Sequence, residues 1–223
     1  MKLLKRVATF FAVVIMIGLV VTILSPAEEA KPISPTPTAN IDVTTPNTTP
    51  AKTPVAKKWS DGTYMVGKDL PPGLYRVTLS TGILTLGLGY VERSRDISMS
   101  FQDIIANETF TGNGYVEILP TDKAVKVTGC YLTELDLDGL EPDLKTEIEA
   151  GIYLVGFDIA PGTYAVSIKD NIMNMGYVAR LSGLSMGFSD LIANELFQGP
   201  GYVRILPDDV AVQVSGAKLT FVE

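Results

Sequence analysis

The sequence predicts an all-β protein: two homologous small β-sandwich or open-barrel modules in tandem, preceded by one N-terminal transmembrane helix and a disordered Pro/Thr-rich linker. Three observations carry this. A block of about 72 residues occurs twice. Both copies alternate apolar and polar residues between turn signals. An uncharged apolar run and a Pro/Thr-rich stretch come before them. The boundaries are 1–24 for the anchor or signal segment, 25–58 for the linker, 59–135 for copy 1, 136–149 for an acidic connector and 150–223 for copy 2.

The first segment opens with Lys2, Lys5 and Arg6 and continues apolar from Val7 to Leu24. Eighteen helical residues span about 27 Å, close to the hydrocarbon thickness of a bilayer. The basic flank stays cytoplasmic and sends residues 25–223 outside, giving a single-pass protein of the cell membrane. The alternative is secretion after cleavage near Ala27, where Ser25-Pro-Ala27 puts small residues at the −3 and −1 positions. No cysteine stands directly after the run, so a lipoprotein anchor is excluded.

Residues 25–58 hold seven prolines and seven threonines without apolar periodicity. Such a chain buries too little surface to offset its ordering entropy, and its prolines keep it semi-extended. Asn47-Thr-Thr49 is a glycosylation sequon, but a plain spacer is the simpler reading.

The repeat begins with Tyr64-Met-Val-Gly-Lys-Asp-Leu-Pro-Pro-Gly-Leu-Tyr-Arg-Val77, which returns as Tyr153-Leu-Val-Gly-Phe-Asp-Ile-Ala-Pro-Gly-Thr-Tyr-Ala-Val166. Pro72-Gly73 and Pro161-Gly162 predict type II turns between strands. Ile105-Ala-Asn-Glu108 returns as Ile192-Ala-Asn-Glu195, now offset by 87 positions instead of 89. The two-residue indel puts a variable loop between Ser80 and Leu88, opposite Lys169 to Met175. Phe101 to Phe110 and Phe188 to Phe197 are the only stretches with room for a helical turn. Tyr115 to Leu119 and Ala124 to Val127, with their copies, read as strands joined by short turns. Five to seven strands per copy are expected, and modules of this size are marginal alone, which predicts face-to-face packing of the two copies.

The pattern Gly-x-Tyr-x-Val-Gly-x-Asp-Leu/Ile-x-Pro-Gly-x-Tyr-x-Val, followed by Ile-Ala-Asn-Glu and Gly-Tyr-Val, resembles a tandem repeat module of uncharacterised bacterial extracytoplasmic and cell-surface proteins. The resemblance covers about two-thirds of the chain. It implies an envelope-facing module behind an anchor and linker, and it brings no catalytic residues with it.

Composition narrows the function. Residues 1–58 carry a net charge of +4 and the whole chain −7, which leaves −11 on residues 59–223. That acidity argues against nucleic acid. The absence of histidine removes the commonest general base and metal ligand. Cys130 is the only cysteine and its counterpart is Ala217, so it reads as a small buried residue. The polar pairs Asp69/Asp158, Arg93/Arg180, Asp103/Asp190, Asn107/Asn194 and Glu108/Glu195 recur. The ordinary role of the acids is to anchor turns. The sharper reading makes Asp103, Asn107, Glu108, Asp190, Asn194, Glu195, Arg93 and Arg180 binding residues for a sugar or a hard cation. Recurring tyrosines at 64, 75, 90 and 115 and at 153, 164, 177 and 202 read mainly as sheet core. Asp136-Leu-Asp138-Gly139 matches a calcium loop poorly, because Lys145 stands where a bidentate Glu is needed.

The expectation is a non-catalytic, membrane-anchored binding or adhesion protein at the cell envelope, without cofactor or metal. It touches the membrane through residues 7–24, and its partner is an envelope polysaccharide or a protein. The alternative is a structural or assembly protein whose modules pack on each other or on a partner.

Overall fold

The computed structural model describes residues 57–81, 87–169 and 174–223. The expected anchor, nearly all of the linker and the tips of the two diverged loops lie outside the described residues. Among the described residues no helix is long and apolar enough to cross a membrane.

Lys57 to Glu223 form one compact unit, and each copy is a sandwich of two four-stranded antiparallel sheets. Module 1 contains β1 (Lys58–Trp59), β2 (Gly62–Met65), β3 (Gly73–Leu79), β4 (Gly89–Ser94), β5 (Ile104–Phe110), β6 (Gly114–Ile118), β7 (Ala124–Thr128) and β8 (Cys130–Glu134). Its sheets run β1-β8-β3-β6 (sheet 1A) and β2-β7-β4-β5 (sheet 1B). Module 2 repeats this with β9 (Glu147–Ile148), β10 (Gly151–Leu154), β11 (Gly162–Ile168), β12 (Gly176–Leu181), β13 (Leu191–Phe197), β14 (Gly201–Ile205), β15 (Ala211–Ser215) and β16 (Ala217–Phe221). Its sheets are β14-β11-β16-β9 (sheet 2A) and β10-β15-β12-β13 (sheet 2B).

Four expectations need correction. Each module has eight described strands instead of five to seven. The extra ones include the two-residue β1 and β9, too short to show alternation; β9 lies at the end of the connector and pairs with β16. The possible helical segments hold only a 3-10 turn, at Phe101–Asp103 and Phe188–Asp190, before β5 and β13 begin. The left-handed turn residue is Gly67 (φ 81°), with Gly156 in the copy, whereas Gly73 at φ 155° simply opens β3. The type II turn fails because Met65 O already gathers the N–H groups of Lys68, Asp69 and Leu70 one step earlier.

The fourth correction concerns how the modules meet. They do not pack face to face. The outer face of sheet 2B covers the open edge of module 1, between β5 and β6. Strand alternation makes this possible. Val212 and Val214 point into the core of module 2, while Ile152, Leu154 and Ala211 on the other face of sheet 2B join the core of module 1, as does Leu184. Burying Ile152, Leu154 and Leu184 contributes about 1.5–3 kcal/mol each, an upper figure because unfolded chains already bury some surface.

Candidate functional site

The twice-kept polar residues divide into turn anchors, a core ion pair and an edge. Asp69 Oδ2 accepts the Met65 N–H at 3.0 Å, and Asp158 Oδ2 accepts the Leu154 N–H at 2.9 Å. Both carboxylates close the Gly67-type turn. Asp103 binds the hydroxyls of Ser98 and Ser100, which hold its pKa below the usual carboxylate range. Asp190 accepts from Ser185 N at 2.7 Å and Ser185 Oγ at 2.8 Å. Each fixes the loop ahead of its 3-10 turn.

Arg93 and Arg180 lie inside their sandwiches. Arg93 Nε and Nη2 donate to the two oxygens of Asp122 at 2.6 and 2.9 Å, and Asp122 Oδ2 also accepts Leu119 N at 2.8 Å. Arg180 and Asp209 repeat the pair at 2.6 and 2.8 Å, with Leu206 N at 2.8 Å. The fork geometry satisfies both ions at once, which a buried pair requires. The candidate set named the arginines and missed their partners. The signal was present: Asp122 and Asp209 stand at the same place in the two copies.

The tyrosines follow the core reading in part. Tyr75 and Tyr164 are wholly buried and donate to Pro71 O at 2.6 Å and Ala160 O at 2.8 Å. Tyr90 donates to Glu92 at 2.6 Å. Cys130 is buried in β8, and burial pushes its thiol up to about 11; Ala217 fills the same site in module 2. Among the described residues, no group of three His, Cys, Asp or Glu side chains is placed to hold a metal ion.

The remaining candidates lie at the module edges, where the copies differ. Tyr115 on β6 donates to Asp158 Oδ1 of module 2 at 3.0 Å. The backbone bonds Ile152 N→Asn113 O (3.0 Å) and Glu117 N→Leu184 O (2.8 Å) extend the seam. Arg93 Nη1 donates to Ser185 O. Glu108 on β5 meets Gln213; burial is the largest influence on its carboxyl and pushes the pKa up to about 7, against the opposing pull of the Thr109 N–H and Gln213. The residue as a whole keeps intermediate exposure, so the burial is concentrated at the carboxyl end. Asn107 lies half-buried across from Glu92.

In module 2 the same edge keeps Ile192, Ala193, Asn194, Glu195 and Tyr202, replaces Thr109 by Leu196 and Glu117 by Arg204, and stands open among the described residues. Tyr202, the counterpart of Tyr115, is 69% exposed against 5%. Ile192 through Leu196 are all exposed along β13, Asn194 and Glu195 among them. Asn194 Nδ2 reaches Tyr177 Oη at 3.5 Å. Arg180 keeps its bonds to Asp209 but has no counterpart of the contact that Arg93 makes with Ser185. The candidate surface is therefore the β13–β14 edge. A seven-residue unpaired edge strand with exposed Ile192 and Leu196 is a template for pairing and for apolar docking.

Fold and edge together define a tandem β-sandwich protein whose conserved-in-sequence repeat serves once as an internal joint and once as an open surface. The chain matches the Rv1352-like extracellular domain family over residues 56–132 and 145–218, one match per module, and it belongs to that family. The modules are thus extracellular domains. No curated protein matches the chain.

Proposed function

We propose that the protein is a non-catalytic docking protein of the cell envelope, held at the membrane by residues 7–24 and presenting the β13–β14 edge to a protein partner. One observation carries the reading. An edge whose counterpart in module 1 is partly covered by the seam, with Tyr115 buried in it, is displayed in module 2 with Ile192, Asn194, Glu195 and Tyr202 exposed. The exposed backbone row of β13 suits pairing with protein, and the flanking apolar side chains suit a sheet face. A polysaccharide ligand has less support, because most of the repeated tyrosines are sequestered in cores and seams.

The test compares the full chain with the Leu196→Asp, Tyr202→Asp double variant for retention on isolated envelope fractions. Retention should fall at least about tenfold in the variant, and protease treatment of the envelope should abolish it. Equal retention by both chains, or retention on protease-stripped wall material, would overturn the reading. A structural or assembly role is the second reading, favoured by the seam itself, in which modules of this kind pack on each other.

A further inference from the structure

We infer that the open β13–β14 edge receives the outer face of sheet 1B from a second copy of this chain, repeating between chains the seam that joins the modules within one. The inference rests on the docking reading above and names its partner.

The argument is continuity with the internal seam. Most polar groups that module 2 offers to module 1 have a counterpart in module 1, whereas Ile152 corresponds to exposed Thr63 and Ala211 to Ala124, which is already buried. Tyr115 finds Asp158 at 3.0 Å; Tyr202 would find Asp69 of the next chain. Glu117 N finds Leu184 O at 2.8 Å; Arg204 N would find the carbonyl of Ile97, a residue 55% exposed where Leu184 is 8%. Arg93 reaches Ser185 O; Arg180 would reach Ser98 O. Gly112 lies so close to the connector that an added Cβ would stand 1.9 Å from Ala150 O, whereas a Cβ on Gly199 meets nothing within 4 Å. The space beside Gly199 fits the backbone at Asp61, the counterpart of Ala150.

The substitutions between the copies agree with a second, weaker seam. Gln213, which meets Glu108, is replaced by Lys126, which would face Glu195 as an ion pair. Phe157 becomes Lys68 and Ile152 becomes Thr63, both exposed, so the free face is more polar than the buried one. Contact between chains is therefore reversible where contact within the chain is permanent. Because edge and face are different surfaces, the association is heterologous and runs head to tail, closing as a ring or continuing as a filament.

The experiment uses the full-length chain in its membrane, with Tyr202 replaced by the photo-crosslinking analogue p-benzoylphenylalanine. The expected product is a dimer of the chain whose crosslink maps to β2 and the Gly67–Asp69 turn. Gly199→Ala in the same chain should cut the yield at least about tenfold while leaving thermal unfolding unchanged. Lys126→Glu should do the same, and adding Glu195→Lys should restore it. A crosslink between two module 2 edges, or a yield indifferent to Gly199→Ala, overturns the head-to-tail contact. A crosslink to a different protein overturns self-docking and leaves the docking surface standing, while no crosslink to any protein overturns both.

Discussion

Phe110 and Phe197 close the ends of equivalent strands, and both are buried, yet the edges they belong to have opposite fates. Along β5 to β6, Glu108 and Tyr115 are covered in the seam with sheet 2B; along β13 to β14 their counterparts Glu195 and Tyr202 face solvent. The strands and bulges match, including the register shift after Arg93 and after Arg180, while the edge residues differ at Thr109/Leu196, Asn113/Pro200 and Glu117/Arg204. The difference in fate arises because sheet 2B packs on the β5–β6 edge, whereas among the described residues nothing packs on the β13–β14 edge. Residue identity alone does not tell a joint from a display surface, and the contrast can be broken experimentally.

The largest effect is expected at the ion pairs. Arg93 is 2% exposed and its carboxylate partner wholly buried, whereas the Arg180 side chain is 19% exposed. Arg93→Met strands a buried Asp122 and should destabilise by about 3–5 kcal/mol. Arg180→Met should cost about half as much, because water can reach Asp209's partner site. Urea unfolding of both variants reads the difference directly; equal losses would mean the seam does not bury Arg93 as described.

Gly112→Ala comes next. Its Cβ would collide with the Ala150 carbonyl at 1.9 Å, and backbone cannot swing aside as a flexible side chain can. The seam must open, at a cost of about 2–3 kcal/mol. Gly199→Ala should be neutral or slightly stabilising. Thermal unfolding of the pair checks this.

Glu108 gives a pH signature. Its carboxyl goes from 4.5 when unfolded to about 7 when folded, with burial as the main cause. The folded state therefore binds the proton more tightly. Its contribution is fully present below pH 4.5, declines between 4.5 and 7, and is gone above that. Allowing for the partial exposure of the residue, the loss is on the order of 1–2 kcal/mol. Wild type and Glu108→Gln should diverge in stability over that window and run parallel above it. Glu195→Gln, on the exposed edge, serves as the surface control within about 0.5 kcal/mol.

The smallest contrast is Tyr115→Phe against Tyr202→Phe. The first loses the hydrogen bond to Asp158, about 1–2 kcal/mol because the acceptor is charged; the second loses less than about 0.5 kcal/mol in the isolated chain. Differential scanning calorimetry resolves the two.

Much of the fold was legible along the chain. Alternation at Tyr75-x-Val77 and Tyr115-Val-Glu-Ile118 marked β3 and β6, and Cys130 against Ala217 marked a small buried site. The single helical turn expected within Phe101 to Phe110 is a 3-10 turn confined to Phe101–Asp103, and the strand that follows was missed because its outer side chains include Asn107 and Thr109, which blurs the period-2 signal. The candidate site was legible only as a set of kept residues. Asp69 and Asp103 turned out to anchor turns through partners three to five residues away, while Arg93 anchors a core and Glu108 lines a seam through partners 29 and 105 positions away, Asp122 and Gln213, which spacing cannot reveal.

The sequence by itself determined that there are two modules and that they are β, because strand alternation and turn chemistry are short-range properties. Only the tertiary structure decided that sheet 2B has two buried faces and that the β5–β6 edge is closed while β13–β14 is open. Those facts depend on which surfaces meet across the seam, and the hydrophobic effect that joins them acts on any apolar patch of fitting shape, whatever its distance along the chain.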